Sequence, residues 1–145
     1  VTSSSSIGMP RRMSAGFDHN RTSLLVAIME KRLGLNLQGE DIFINIAGGL
    51  KISEPAVDMG VAAAIAGSFR NRSVDPHTVM IGEVGLTGEV RSVMQLEARL
   101  AEAERLGFKK CVVPHSIKED RLINKSSSLR LVPVKTLSDA FDTVF

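Results

Sequence analysis

The chain has 145 residues, 43% of them apolar and 23% charged, enough for one globular domain with a real core and too few for two. Its formal net charge is +2, and it has six Phe but neither Trp nor Tyr, which argues against an autonomous nucleic-acid binder with a strong single-sign field or an aromatic base-stacking platform. The charge is uneven: residues 1–35 carry five basic and two acidic groups, residues 36–69 one and four, and the remainder twelve and ten.

In chain order, residues 1–17 read as extended, with a serine run and then a turn at Gly8 and Pro10 before RRMSAGF. Asn20 can cap a helix from Arg21 to about Leu33, with Leu24, Leu25, Ile28 and Met29 on one face and Gly34 as its stop. DIFINIAG (41–48) alternates as a strand with one buried face, and Gly48-Gly49 breaks it. A second helix from Pro55 to about Arg70 is apolar almost all round and rich in small residues, which predicts an interior position flat against a sheet. TVMIGEV (78–84) and LTGEVRSV (86–93) read as strands joined at Gly85, possible partners in a hairpin. A third helix, Met94 to Leu106, buries Leu96, Leu100 and Ala103. KKCVVP is a buried strand, SIKEDRLIN a loop or short helix, NKSSS a surface loop and LRLVPV a last strand. TLSDAFDTVF closes as an amphipathic helix capped by Thr136. The mixture gives an α+β or α/β fold, and the strand-turn-strand at 78–93 favours α+β.

Tests for chemistry mostly exclude. There is no G-x-x-x-x-G-K-[ST] loop for nucleotide phosphates, and the glycines of IGEVGLTGEV read as hairpin glycines. His19, His77 and His115 lack the spacing of a zinc site, so no metal is expected. The single Cys111, in an apolar run, is expected to be a buried, reduced thiol. No run approaches the roughly 18 apolar residues of a membrane span. The only local lysine/serine pair is Lys51 and Ser53, about 7 Å apart in an extended chain, too far for direct proton transfer without a bend. The chain opens on Val1 without a signal peptide, as a piece of something longer would.

Three stretches, SSSSIGMPRRMSAGFDHNRTSLLVAIMEKRLGL, DIFINIAGGLKISEPAVDMGVAAAIAGSFRNR and VMIGEVGLTGEVRSVMQLEARLAEAERLGFKKCVVP, resemble the C-terminal domain of the RadA (Sms) family of RecA-type DNA repair proteins. IAGGLKISEPAVD and IGEVGLTGEVR are the most specific elements. That domain is in turn similar to the proteolytic domain of Lon proteases, so the resemblance implies a two-layer β-α fold of the ribosomal-protein type, with a mixed sheet packed by helices. Aligned with the Lon catalytic segments, SEPAVD (53–58) places Ala56 on the serine nucleophile, with Asp58 replacing a glycine, and MQLEARL (94–100) places Glu97 on the lysine. Neither a hydroxyl nor a neutral amine remains, so no Lon-type peptidase is expected.

The resemblance implies a non-catalytic scaffold, residues 1–145 being a single domain of a longer chain. ATP and Mg would belong to a RecA-like ATPase domain and Zn to a zinc finger, neither of which is in this segment. It also implies self-assembly into a hexameric ring, branch migration of recombination intermediates, sequence-independent contact with DNA phosphates, and a bacterial cytoplasm, with plant organelles as a second home. By charge and position, Arg11, Arg12 and Arg21 are the first candidates for DNA contact, with Lys51 and Arg91 behind them, while Met9, Met13 and Phe17 are candidates for the ring contact. Two alternatives stand beside this: a cryptic serine peptidase using Lys51 and Ser53, and a purely structural oligomerisation domain without DNA contact.

Overall fold

The computed structural model describes residues 1–4, 8–116 and 128–145. Most of SIKEDRLIN and NKSSS therefore lies outside the described residues.

The first sheet is mixed and centred on β3 (Glu40–Asn45). β1 (Thr2–Ser4) runs antiparallel along one side and β2 (Arg12–Ala15) parallel along the other. At the end of β2, Gly16 adopts φ +81°, and a Cβ there would lie 2.4 Å from the Leu50 carbonyl oxygen. Only glycine allows that approach, which lets Ile52 donate its N–H to the Gly16 carbonyl at 2.8 Å.

Helix α1 (His19–Leu33) follows. It starts earlier than the expected Asn20 cap, because the Asp18 carboxylate accepts from the Arg21 N–H at 2.7 Å while Asp18 itself stays extended. Gly34, left-handed at φ 65°, ends it as expected.

The expected helix from Pro55 is in fact two pieces. A 3₁₀ turn, Pro55–Val57, leads into α2 (Asp58–Arg70). The expected strand 78–84 is also broken, into β4 (Thr78–Met80) and β5 (Glu83–Val84). One cause serves both: Gly82 donates its N–H to the Ala56 carbonyl at 2.9 Å and accepts from the Met59 N–H at 3.3 Å. That exchange pulls the strand off its sheet onto the start of α2. Nor is α2 buried all round, since Ala64 is exposed and Gly60 and Val61 are half-buried.

β5 pairs antiparallel with β6 (Val90–Arg91), so the expected hairpin is present, its turn spanning Gly85 to Glu89. α3 (Leu96–Arg105) buries Leu96, Leu100 and Ala103, as the spacing predicts. β7 (Lys110–Pro114) lies between β4 and β8 (Arg130–Val134) in a second, all-parallel sheet. α4 (Leu137–Val144) is capped by Thr136 in a reciprocal box with Asp139.

The alternation of β7 divides the interior. Val112 faces a large cluster with Leu25, Met29, Met59, Leu137 and Phe141, contributed by α1, α2 and α4. Cys111 and Val113 face the other way, into a smaller cluster with Ala56, Ile81, Leu96, Leu100, Ala103 and Leu129 under α3. Helices thus cover both faces of the second sheet, which with the mixed first sheet and the hairpin makes an α+β domain.

Candidate functional site

Pro55 opens the 3₁₀ turn, where its missing N–H costs nothing, and the turn directs the Ala56 methyl inward. Ala56 is 4% exposed and packs in the smaller apolar cluster. Among its described members is Cys111, whose thiol burial pushes up to about 12. Glu97, the other position the Lon comparison singles out, lies exposed on α3. Nearby, Arg99 of α3 forms an ion pair with Glu54, two residues before Ala56, and donates from Nε to the Met94 carbonyl at 3.0 Å. Glu54 and Arg99 both line an open groove of about 490 Å³ between β4 and α3.

One turn further along, Asp58 is completely buried. Its two carboxylate oxygens accept from Nε of Arg21, at 3.0 Å to Oδ1, and from Nη2, on Oδ2. Oδ2 also accepts the Val84 N–H at 3.1 Å, while Nη2 of Arg21 donates to the Val84 carbonyl at 2.9 Å. Donating to the Asp58 carboxylate raises the Arg21 guanidinium above its ordinary value. This network ties α1, α2 and the hairpin together and closes one wall of a cavity of about 310 Å³ lined also by Phe17, Asp18, Ser53 and Glu54. Lys51 is exposed and is not among the lining residues.

The sequence-derived cations are dispersed. Arg11, on the entry to β2, engages Asp41 through its own N–H at 2.7 Å and its guanidinium at 2.8 and 3.1 Å, and lies 5.8 Å over the Phe43 ring. Its guanidinium is still largely open to solvent, its side chain 70% exposed. Arg21 is committed to Asp58. Arg91 pairs with Glu89 and Glu83 on the hairpin. There the Thr87 hydroxyl, hydrogen-bonded to Glu89, and then the Glu89 backbone and Arg91 bring Glu89 down to about 2. Among the described residues, Arg12 and Lys51 have no ion-pair partner. Met9 and Met13 are exposed, but Phe17 belongs to the large core cluster, so it is not a surface residue of this domain. Among the described residues no group of three or more His, Cys, Asp and Glu could hold a metal ion, and no helix is long and apolar enough to cross a membrane.

The family model described as subunit ChlI of Mg-chelatase matches residues 7–117. The chain belongs to this family. Within it, the chain is 48% identical over 142 residues to the DNA repair protein RadA of Halalkalibacterium halodurans, covering 98% of this chain and 31% of that one. It is 52% identical over 114 residues to RadA of Bacillus subtilis, covering 79% and 25%, and 45% identical over 134 residues to RadA of Synechocystis, covering 92% and 26%. The likeness to RadA is thus borne out, and this ChlI-family chain spans less than a third of the length of these relatives.

Sequence reading missed the Arg21–Asp58 clasp. A carboxylate in the first turn of an otherwise apolar helix was the available signal, since a buried charge requires a partner.

Proposed function

We propose that this chain is a non-catalytic, Lon-protease-like domain of a RadA-type DNA repair protein, acting as a scaffold for self-assembly and as a sequence-independent contact for DNA phosphates. The burial of Ala56 in an apolar cluster carries the non-catalytic part: a methyl packed inward at the nucleophile position has no hydroxyl to attack a substrate carbonyl and little access to one. The DNA repair relatives support the setting. In the whole protein an ATPase domain would supply ATP hydrolysis and its Mg, a zinc finger would hold Zn, and the assembly would be a hexameric ring in the bacterial cytoplasm.

Of the candidate cations, Arg12 and Lys51 have no carboxylate partner among the described residues and are the better placed to meet phosphates, with Arg11 partly neutralised by Asp41. A ring would multiply so modest a charge through effective concentration.

The test is DNA binding at low and moderate salt, with the oligomeric state measured by light scattering in the same buffers. Binding that accompanies assembly and weakens steeply with salt is expected. Assembly without affinity at low salt removes DNA contact and leaves the structural role alone. Covalent labelling of Ser53 by a serine-directed reagent would reinstate a peptidase.

A further inference from the structure

Among the described residues, Arg11, Arg21, Arg91, Arg99 and Arg105 are held by carboxylates. Five of the remaining cations gather at one end of the second sheet. α2 ends at Arg70, and Asn71 takes the left-handed conformation at φ 50°. The chain then hooks back, with the Arg72 N–H donating to the Gly67 carbonyl at 2.9 Å. The hook brings both arginines onto one aromatic pair: Arg70 lies 5.7 Å and Arg72 5.8 Å over the Phe145 ring, and Arg70 is 5.8 Å from Phe141. Phe141 and Phe145 themselves meet edge to face at 5.5 Å. Gly67 permits this, since a Cβ there would come within 2.7 Å of the Arg72 carbonyl oxygen and 3.3 Å of the Phe145 ring.

From the sheet side, Lys110, the first residue of β7, reaches the Thr143 carbonyl at the end of α4, 3.4 Å away. Arg130, the first residue of β8, stands opposite Lys110 in register, so the two share a face about 4.8 Å apart. The Arg130 N–H donates to the Lys109 carbonyl, and the His77 carbonyl accepts from both Lys109 and Lys110. Arg70, Arg72, Lys110 and Arg130 therefore converge where the three parallel strands begin, around the last turn of α4, with Lys109 beside them at the same end of the sheet but of opposite strand parity. The acidic groups on or beside these elements are Asp58, at the far end of α2 and held by Arg21, Asp75, whose carboxylate accepts the His77 N–H at 2.8 Å, Glu104, which accepts from the Ser128 N–H and hydroxyl, and Asp139 and Asp142 of α4; Asp139 is engaged at the opposite end, in the Thr136 cap.

We propose that this end of the sheet is a second nucleic-acid surface, binding the phosphate backbone of DNA at a site separate from Arg12 and Lys51; it rests on the DNA-contact reading above. Arginines laid over aromatic rings are held in place before a ligand arrives, and guanidinium is weakly hydrated and matches phosphate oxygens two at a time. The patch offers a row of donors, and its half-buried Phe145 ring is already covered by Arg70 and Arg72, which fits contact with backbone and not with sequence.

The test is titration of the intact protein against a short fluorescent duplex of random sequence over a range of salt. Arg70→Gln/Arg72→Gln/Arg130→Gln is expected to lose at least about tenfold in affinity at low salt and to flatten the slope of log K against log salt by about 2 to 3. Lys110→Gln/Arg130→Gln, which leaves the aromatic contacts intact, should flatten it by about 2 and guards against a folding defect in the triple variant. If wild type binds and only Arg12→Gln/Lys51→Gln loses affinity, this surface is overturned while the DNA reading stands. If wild type does not bind at low salt, the DNA reading itself is overturned. Displacement of DNA by polyglutamate at equal charge would overturn the assignment to nucleic acid in favour of an acidic protein.

Discussion

The Asp58 carboxylate has no solvent exposure and meets the guanidinium of Arg21 through two oxygens, 37 residues apart in sequence. Two bonds to the Val84 backbone complete the set, so both carboxylate oxygens and Nε and Nη2 of the guanidinium are engaged. Removing one partner leaves the other charge without compensation. Arg21→Ala is therefore expected to destabilise the fold by about 3–5 kcal/mol in chemical denaturation. Asp58→Asn, which keeps shape and some hydrogen bonding, should cost less. Equal losses from the two would mean that the ionic component is negligible.

Ala56→Ser tests the inactive reading directly. A hydroxyl placed among Ile81, Leu96, Leu100 and Cys111 enters an apolar environment, and burying it unpaired costs about 1–3 kcal/mol. The variant should be less stable than the parent and give no hydrolysis of an unfolded protein substrate. Turnover by Ala56→Ser would show that a base reaches this position.

How far the sequence disclosed all this depends on range. The stripe of Leu96, Leu100 and Ala103, the Thr136 cap and the hairpin glycines were legible because each is a local pattern whose geometry follows from spacing. The breaks in the second helix and in the strand from 78 were not, because they arise from the exchange of hydrogen bonds between Gly82 and the Ala56–Met59 segment, more than twenty residues away. The cations show the same limit most plainly. Arg11, Arg12 and Arg21 look equivalent in sequence, yet Asp41 and Asp58 occupy two of them, while the third has no carboxylate partner among the described residues. Conversely, Arg70, Arg72 and Arg130 look scattered until the hook at Asn71 and the parallel register of β7 and β8 bring them together.

Acid sensitivity should report on the hairpin. Glu89 titrates at about 2 in the fold against an ordinary 4.5, through the Thr87 hydroxyl first and then its backbone and Arg91. A carboxylate lowered on folding contributes its stability above its unfolded value and loses it as pH falls through the folded one. The contribution is thus fully present above about pH 4.5 and disappears between there and pH 2. Melting temperatures measured from pH 6 downward should fall more steeply for the parent than for Glu89→Gln. Parallel curves would mean that these hydrogen bonds form no better in the native state than in the unfolded chain. Asp41, lowered by the Arg11 N–H and guanidinium, adds to the same acid limb and remains in the variant as an internal reference.

Cys111 provides a probe of opening. Burial between β4 and β8 leaves the thiol no exposure and pushes it up to about 12. At pH 8 only about one native molecule in 10⁴ then carries thiolate, against roughly a quarter for an unperturbed cysteine. A disulfide reagent should leave the native protein essentially unlabelled and react stoichiometrically once denaturant is added. Under mildly destabilising conditions the labelling rate should track the population of opened chains, and Arg21→Ala, which loosens the packing of α1 on α2 and the hairpin, should accelerate it in proportion to its loss of stability. Fast labelling of the unperturbed protein at pH 8 would place the thiol at the surface and contradict the two-faced burial of β7.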